Sequence, residues 1–485
     1  MHSSIKKNTV YNMIKTLASI IFPLITFPYI SRVLQPENVG KVNFGNSIVS
    51  YFTLVATLGI ITYAVRECSA SRNDQKKLER TASELISINF VTMLLSYAVL
   101  IICLIFIPKF VDYRLLIAIQ SLAIFFQVIG ADWLNTSMED FRYITIRTVV
   151  FQFVSLILMF LFVREPEDYI IYAVISLIAS SAGQFCNVLY RRRYGNIHLV
   201  RHMNWKKHFP PIIGLFAMIL SQTIMNSIDQ TMLGFMSGDY GVGLYSVAYK
   251  VISIALQVVA SITWVVLPQL SNAYSESNYT SINKILNRTL NFTYTLTFPC
   301  FVGIVALSEE IMFLVGGQEY ITATPCLVIL SIGMFVDLIW SNLWGNCVLL
   351  PARREKQFTI ACFGAMIVNI IGDYVLIPVC GINGAAIATV AAKVLIGIIV
   401  IQKKDKNIKM GISFRLLLGP SVGSVAIVGI CLAIKIMCLS SFLTVVISIV
   451  LSVVAYGIIM ILFKNEIVME YLNSFKTRSL RLKNK

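Results

Sequence analysis

The chain has 485 residues, 57% hydrophobic and 13% charged, with a net charge of +16 and a mean hydropathy of +0.77. That much apolar surface excludes an ordinary water-soluble domain, and repeated apolar stretches of about 20 residues point to transmembrane helices. The basic excess does not imply a nucleic-acid partner, because the lysines and arginines gather in short segments between apolar runs, where they suit anionic lipid.

In chain order the apolar runs predict fourteen spans: 10–34, 41–65, 83–107, 115–134, 143–163, 169–189, 211–235, 242–268, 290–314, 322–350, 356–378, 382–402, 413–436 and 441–463. No cleavable signal peptide is expected, since the first run is long and lacks a small-residue cleavage site. The first two spans meet in the stretch Phe22 to Gly45. Pro23 and Pro28 bend the first helix, and Gln35 to Gly40 is expected to form a tight turn. A looser copy recurs at Met236-Ser237-Gly238-Asp239-Tyr240-Gly241, with Tyr245 standing where Phe44 stands.

Most of the 40 Lys and Arg residues fall in the N-terminus, 66–82, 135–142, 190–210, 269–289, 351–356, 403–415 and the C-terminal tail. This asymmetry puts both termini on the cytoplasmic side. The echo between the two turns divides the chain into a lobe of six helices at 1–190, a cytoplasmic linker at 191–210, and a second lobe of six at 211–402. An appended pair follows at 403–463, and a basic tail at 464–485. Parallel lobes of this kind are a transporter architecture. The expected fold is therefore an all-α integral membrane protein.

Polar residues recur at helical spacing inside four spans. Asn8, Asn12, Lys15, Thr16 and Ser19 share a face of the first, Asn43, Asn46 and Ser50 lie in the second, Gln222, Asn226 and Asp229 in the seventh, and Ser246, Lys250 and Ser253 in the eighth. Such stripes pack against other helices or line a wet cavity. Charges within spans are Lys15, Arg32, Arg147, Lys250, Lys393 and Lys435, with Asp132, Asp229, Asp337 and Asp373. Each costs about 2.5–3.5 kcal/mol at mid-helix on insertion scales and so requires a reason. Lys435, Asp132 and Arg147 lie close enough to span ends to snorkel. Several cations around one cavity suit a phosphate-bearing substrate, and Lys15, Arg32, Arg147, Lys250 and Lys393 are the candidate substrate-binding residues.

A second constellation joins the eleventh and twelfth spans. Asn369 and Asp373 are one helical turn apart, Pro378 to Gly384 makes the turn, and Thr389 returns level with them. Their oxygens, with a backbone carbonyl, suit either a hard cation such as Na⁺ or a closed network of interhelical hydrogen bonds.

Other chemistries lack their residues. The glycine spacing of Gly40 to Gly45 resembles a phosphate-binding loop, but Asn46 stands where lysine is needed. His198 and His202 are one turn apart but sit with His208 in a basic loop, which is weak evidence for zinc. The ten cysteines are scattered among apolar runs with no paired spacing, and read as small core residues. No organic cofactor is expected.

The chain resembles the Wzx-type polysaccharide flippases of the MATE-like superfamily of multidrug, oligosaccharidyl-lipid and polysaccharide exporters. The residues that carry the resemblance are Pro28-Tyr29-Ile30-Ser31-Arg32-Val33-Leu34 with Gly40, Tyr51-Phe52, Gly59, Arg66-Glu67, Asp132-Trp133, Glu139 to Tyr143, and Leu376-Ile377-Pro378 with Gly381 and Gly384 to Thr389. Gln35 departs from the pattern, where glycine is common. The resemblance implies a non-enzymatic flippase that moves undecaprenyl-diphosphate-linked oligosaccharide repeat units outward across the bacterial cytoplasmic membrane by alternating access. It would act beside a polysaccharide polymerase and a chain-length regulator. Similarity to lipid II flippases adds a sodium site in which Asp229, Asn369, Asp373, Thr389 and the Ala385 carbonyl match in type and spacing, with Na⁺, a proton or no ion left open as the coupling partner. The rival readings are a multidrug antiporter, which calls for an acidic cavity, and a membrane glycan polymerase or ligase, which calls for a sizeable outer loop with catalytic groups.

Overall fold

The computed structural model describes residues 5–201, 203–411, 414–465 and 467–470, so most of the basic tail expected at 464–485 lies outside the described residues. The helices are α1 Ile5–Thr57, α2 Ile60–Ala70, α3 Gln75–Phe106, α4 Arg114–Gly130, α5 Asp132–Ser137, α6 Phe141–Phe162, α7 Tyr169–Ser180, α8 Cys186–Tyr190 and α9 Trp205–Met236. They continue with α10 Gly238–Ser275, α11 Tyr279–Ala306, α12 Ser308–Gly316, α13 Thr324–Val336, α14 Glu355–Cys380, α15 Ile382–Gln402, α16 Phe414–Ile436 and α17 Ser441–Leu462. No strand occurs among the described residues.

Eleven helices among the described residues are long and apolar enough to cross a membrane, or twelve if Pro166–Ser180 and Ala182–Tyr194, bent by 46°, form one span. The sequence predicts fourteen. With the bent pair counted as one span, the remaining difference has two local causes. The first two expected spans run into one apolar stretch, Lys7–Ala70, and α4 is a shorter apolar helix of 17 residues.

The chain divides into two compact units, Met1–Ser246 and Val247–Lys485. In the first, α1 packs against α3, α4, α6 and α9. The tight turn expected at Gln35–Gly40 is instead a break at one residue. Gln35 takes φ 61°, ψ 167°, and Pro36 starts the next helical segment, where its missing N–H costs nothing. The copy of this break is Gly238 at φ 79°, between α9 and α10.

The two copies meet reciprocally within this unit. A Cβ on Gly40 would lie 1.8 Å from the Asp239 carbonyl oxygen, and one on Gly243 would lie 1.8 Å from that of Pro36. Only glycine permits backbones that close. The structural equivalents are thus Gly40 with Gly243, two residues beyond the sequence pairing of Gly40 with Gly241. The same crossing carries hydrogen bonds from Ser50 to Ser227 (3.0 Å) and from Thr231 to Ser47 (2.8 Å). Here polar residues of the second and seventh expected spans serve helix packing.

Asp and Asn side chains start several helices by accepting from backbone N–H groups. Asp74 caps α3, Asp140 caps α6, Asn204 caps α9 and Asn278 caps α11. The expected fourth span, 115–134, ends at Gly130. Ala131 takes φ 42°, and Asp132 opens the short α5 rather than lying inside a long helix.

In the second unit α14 lies along α15, α16 along α17, and α11 against α13 and α16. The α14–α15 approach is set by small residues. Ala385, Ala386, Ala388 and Ala392 are all buried, and a Cβ on Gly384 would lie 2.3 Å from the Leu376 carbonyl oxygen. Beyond α13 the chain runs through two π-helical stretches, Asp337–Asn342 and Gly345–Leu349. The ten cysteines are free thiols.

Candidate site: charges held inside apolar helices

In the first unit the Asp132 carboxylate accepts from three side chains. Arg147 Nη1 of α6 donates to Oδ1 at 3.0 Å, Asn187 Nδ2 of α8 donates at 3.1 Å, and Asn135 Nδ2 of α5 donates at 3.2 Å. Lys15 is half-buried on α1 of the same unit. Arg147 also donates to Asn187 Oδ1, so Asn187 bridges cation and anion. The Arg147 side chain is 8% exposed and that of Asp132 28%. Its guanidinium lies 5.7 Å above the Tyr143 ring, and Tyr143 stacks on Tyr190 at 3.6 Å. Asp132 and Arg147 therefore do not snorkel separately; they pair. Asn135 and Asn187 escape a reading of the sequence, because an isolated asparagine, in the segment 135–142 or in an apolar run, gives no signal until its neighbour in space is known.

The second unit holds a simpler pair. Lys393 Nζ of α15 donates to Asp337 Oδ2 at 3.0 Å, with side chains 24% and 15% exposed. Asp337 opens the first π-helical stretch, and Ser341 of that stretch donates to the Lys393 carbonyl oxygen at 2.7 Å. Asp132 thus opens a short helix just after the Ala131 break, and Asp337 sits where an apolar helix passes into π geometry, a feature frequent at functional sites.

The remaining expected residues are placed as follows. Arg32 is exposed, near the end of the first segment of α1, and its carbonyl accepts from Gln35 Nε2 at 3.0 Å. Lys250 is half-buried on α10, and its carbonyl accepts from Ser253. Lys435, at the end of α16, is paired with Glu310 of α12 at 2.9 Å. In the second unit, Asn369 and Asp373 are buried one turn apart on α14, and on the neighbouring α15 Ala385 is buried and Thr389 half-buried. Asp229 lies in the first unit, 3% exposed, where its carboxylate accepts from the Tyr245 hydroxyl.

A third buried cluster belongs to the first unit. His208 at the start of α9 is fully buried. Its Nδ1 lies 2.9 Å from the Tyr63 hydroxyl and its Nε2 2.8 Å from Glu84 Oε2, and Arg80 completes the Glu84 contacts at 3.0 Å. Beside it the extended segment before α9 is strapped to α3: the His198 and Val200 N–H groups donate to Ser83 and Ser87. His208 thus lies in α9 rather than in the loop and anchors the start of that helix to α2 and α3, while His198 ties the preceding segment through its backbone N–H; His202 lies outside the described residues.

At one end of the second unit a cleft of about 210 Å³ is lined by Tyr274, Tyr279, Arg354 and Asp405. The Asn407 N–H, the Tyr279 hydroxyl and Arg354 hold the Asp405 carboxyl below the usual carboxylate range, while burial pushes the Tyr274 phenol up.

Residues 5–274 match the family model described as polysaccharide biosynthesis protein. Among curated relatives, the capsular polysaccharide biosynthesis protein CapF of Staphylococcus aureus is 24% identical over 395 residues, spanning 79% of this chain and 94% of that one. Among solved structures, the lipid II flippase MurJ in an inward closed conformation aligns with a TM-score of 0.75 at 16% identity, covering 95% of this chain and 100% of that one. An inward-facing multidrug resistance MATE family transporter of the MOP superfamily gives 0.60 at 14% identity, covering 83% and 94%. The last two likenesses establish the fold, that of the MATE-like exporters.

Proposed function

We propose that this chain, which belongs to the polysaccharide biosynthesis protein family, is a flippase that carries lipid-linked oligosaccharide repeat units from the cytoplasmic to the outer leaflet. The observation that carries the reading is the presence, inside apolar helices of a chain from this family, of cations held in place by carboxylates: Arg147 by Asp132, and Lys393 by Asp337. Charges cost too much there to be retained for solubility, and guanidinium and ammonium groups suit the phosphate of a lipid carrier or an acidic sugar. The similarity to CapF, a capsular polysaccharide biosynthesis protein, and to MurJ, a lipid II flippase, supports the same substrate class.

The finer picture belongs to the same proposal. The carrier is undecaprenyl diphosphate, and the protein sits in the bacterial cytoplasmic membrane with both termini cytoplasmic, working by alternating access beside a polymerase and a chain-length regulator. Fourteen spans follow if the Gln35 break divides the first apolar stretch, the bent pair at Pro166–Tyr194 counts once and α4 crosses; these spans would form two six-helix lobes and an appended pair. Lys15, Arg32 and Lys250 join the two paired cations in attracting the substrate's anionic groups.

For coupling, the α14–α15 cluster is the candidate. Asn369 and Asp373 are buried on α14, which packs on α15 through buried alanines and Gly384, and the reading adds the Ala385 carbonyl and the Thr389 hydroxyl as the further oxygens of a Na⁺ set. Asp229 belongs to the same expectation.

The test is complementation in a strain lacking the gene, scoring surface glycan at matched protein level. Lys250→Ala with Lys393→Ala is expected to abolish export, and full complementation by the double variant would contradict the cationic role. Replacing Na⁺ by a large organic cation at constant proton gradient is expected to slow transport, and an unchanged rate would exclude obligatory sodium coupling.

A further inference from the structure

Asp132 and Asp337 have no part in attracting an anion, yet each occupies the best position from which to bind one. In each unit the carboxylate sits directly on the cation, at 3.0 Å in both cases. In each it stands at a departure from α geometry: Asp132 after Ala131 at φ 42°, and Asp337 at the first residue of a π-helical stretch. Neither pair is sealed, since the Asp132 and Lys393 side chains keep 28% and 24% of their surface. A carboxylate presents two oxygens carrying one charge, and a diphosphate presents more oxygens and more charge to the same donors.

We propose that Asp132 and Asp337 are built-in stand-ins for the substrate's phosphate: in the substrate-free protein Asp132 occupies Arg147 and Asp337 occupies Lys393, and the incoming anion displaces them. The inference rests on the flippase reading and deepens it, because it says what sets selectivity. A neutral or cationic ligand gains nothing by displacing a carboxylate. A mono-anion competes on even terms. A diphosphate wins, and the freed carboxylate is left to its amide partners, Asn135 and Asn187 in the first unit. The cations are thereby never exposed bare to the apolar interior, which would be costly.

The experiment is chemical rescue with inorganic pyrophosphate as the probe, on the full-length protein purified in detergent. Asp132→Asn and Asp337→Asn each remove the stand-in and keep the side-chain shape. Both are expected to lower the melting temperature, to bind pyrophosphate at least tenfold more tightly than the unaltered protein, and to regain the lost melting temperature when it is added. Arg147→Ala placed on Asp132→Asn, and Lys393→Ala on Asp337→Asn, should erase both the tighter binding and the rescue. If a single variant does not survive purification, extraction in pyrophosphate-containing buffer should recover it, and extraction in a choline salt of the same ionic strength should not. Equal pyrophosphate affinity in the Asn variants and the unaltered protein, or a lost melting temperature that pyrophosphate does not restore, would reduce the pairs to static helix clamps and overturn the proposal. The flippase reading is tested separately, by glycan export in cells. Rescue without any export defect in Lys250→Ala with Lys393→Ala would remove the transport role and leave the displaced-carboxylate chemistry standing.

Discussion

The two units answer one problem, a cation inside an apolar helix, in different ways. The first uses arginine. Its planar guanidinium shares donors between Asp132 and Asn187, rests on the Tyr143 face and keeps 8% of its surface. The second uses lysine, a point charge with one carboxylate at 3.0 Å and three times the exposure. An arginine network fixes geometry, whereas a lysine pair fixes only proximity, so the second is the easier to open.

That contrast can be broken in order of expected effect. Asp132→Ala leaves Arg147 uncompensated and should cost about 3–5 kcal/mol of stability, the usual penalty for orphaning one half of a buried pair. Asp337→Ala, at a more exposed cation with fewer partners, should cost about 1–3 kcal/mol. Reversible unfolding in mixed micelles measures both, and equal losses would deny the difference between the units. Gly40→Ala and Gly243→Ala should each cost about 1–3 kcal/mol through overpacking, since the added carbon would sit 1.8 Å from a carbonyl oxygen. Their combined loss should depart from additivity because the two positions share one crossing.

His208→Ala should cost about 1–3 kcal/mol by leaving Glu84 and Tyr63 short of a partner, and should quicken proteolysis of the segment before α9. Proteolysis unchanged at 195–201 would show that the strap on α3 holds without the histidine. The smallest effect concerns Asp405. Its folded pKa lies below its unfolded value, so its contribution is present above about pH 4 and fades as pH falls through the lower folded value. Asp405→Asn should remove that acid-range slope in a stability–pH profile, lowering stability slightly at neutral pH and converging with the unaltered protein in acid.

The membrane character, the helical class and the charged residues inside spans are legible because hydropathy and burial cost act residue by residue. What is not legible depends on partners distant in sequence. Asn187 is forty residues from Arg147, and Glu84 and His208 are farther apart still, so no spacing links them. The break at Gln35 is legible as a turn but not in its length. Pro36 serves equally as a breaker or as a first helical residue, and only the φ of Gln35 decides between them. The echo at Gly238 reads two residues out of register for the same reason, since the shared feature is a left-handed backbone and not a shared residue. The polar stripes are ambiguous between packing and cavity. Of the stripe residues, Ser50 resolves toward packing once its hydrogen bond to Ser227 is seen.

The central claim is that cations held inside the membrane-spanning helices carry an anionic lipid-linked glycan across. Proteoliposomes loaded with a fluorescent lipid-linked oligosaccharide, and assayed for the rate at which a membrane-impermeant lectin gains access to it, test this directly. The account predicts rapid exposure with the unaltered protein and the protein-free rate with Arg147→Ala and Lys393→Ala combined. Exposure at the unaltered rate by a correctly folded double variant would contradict it.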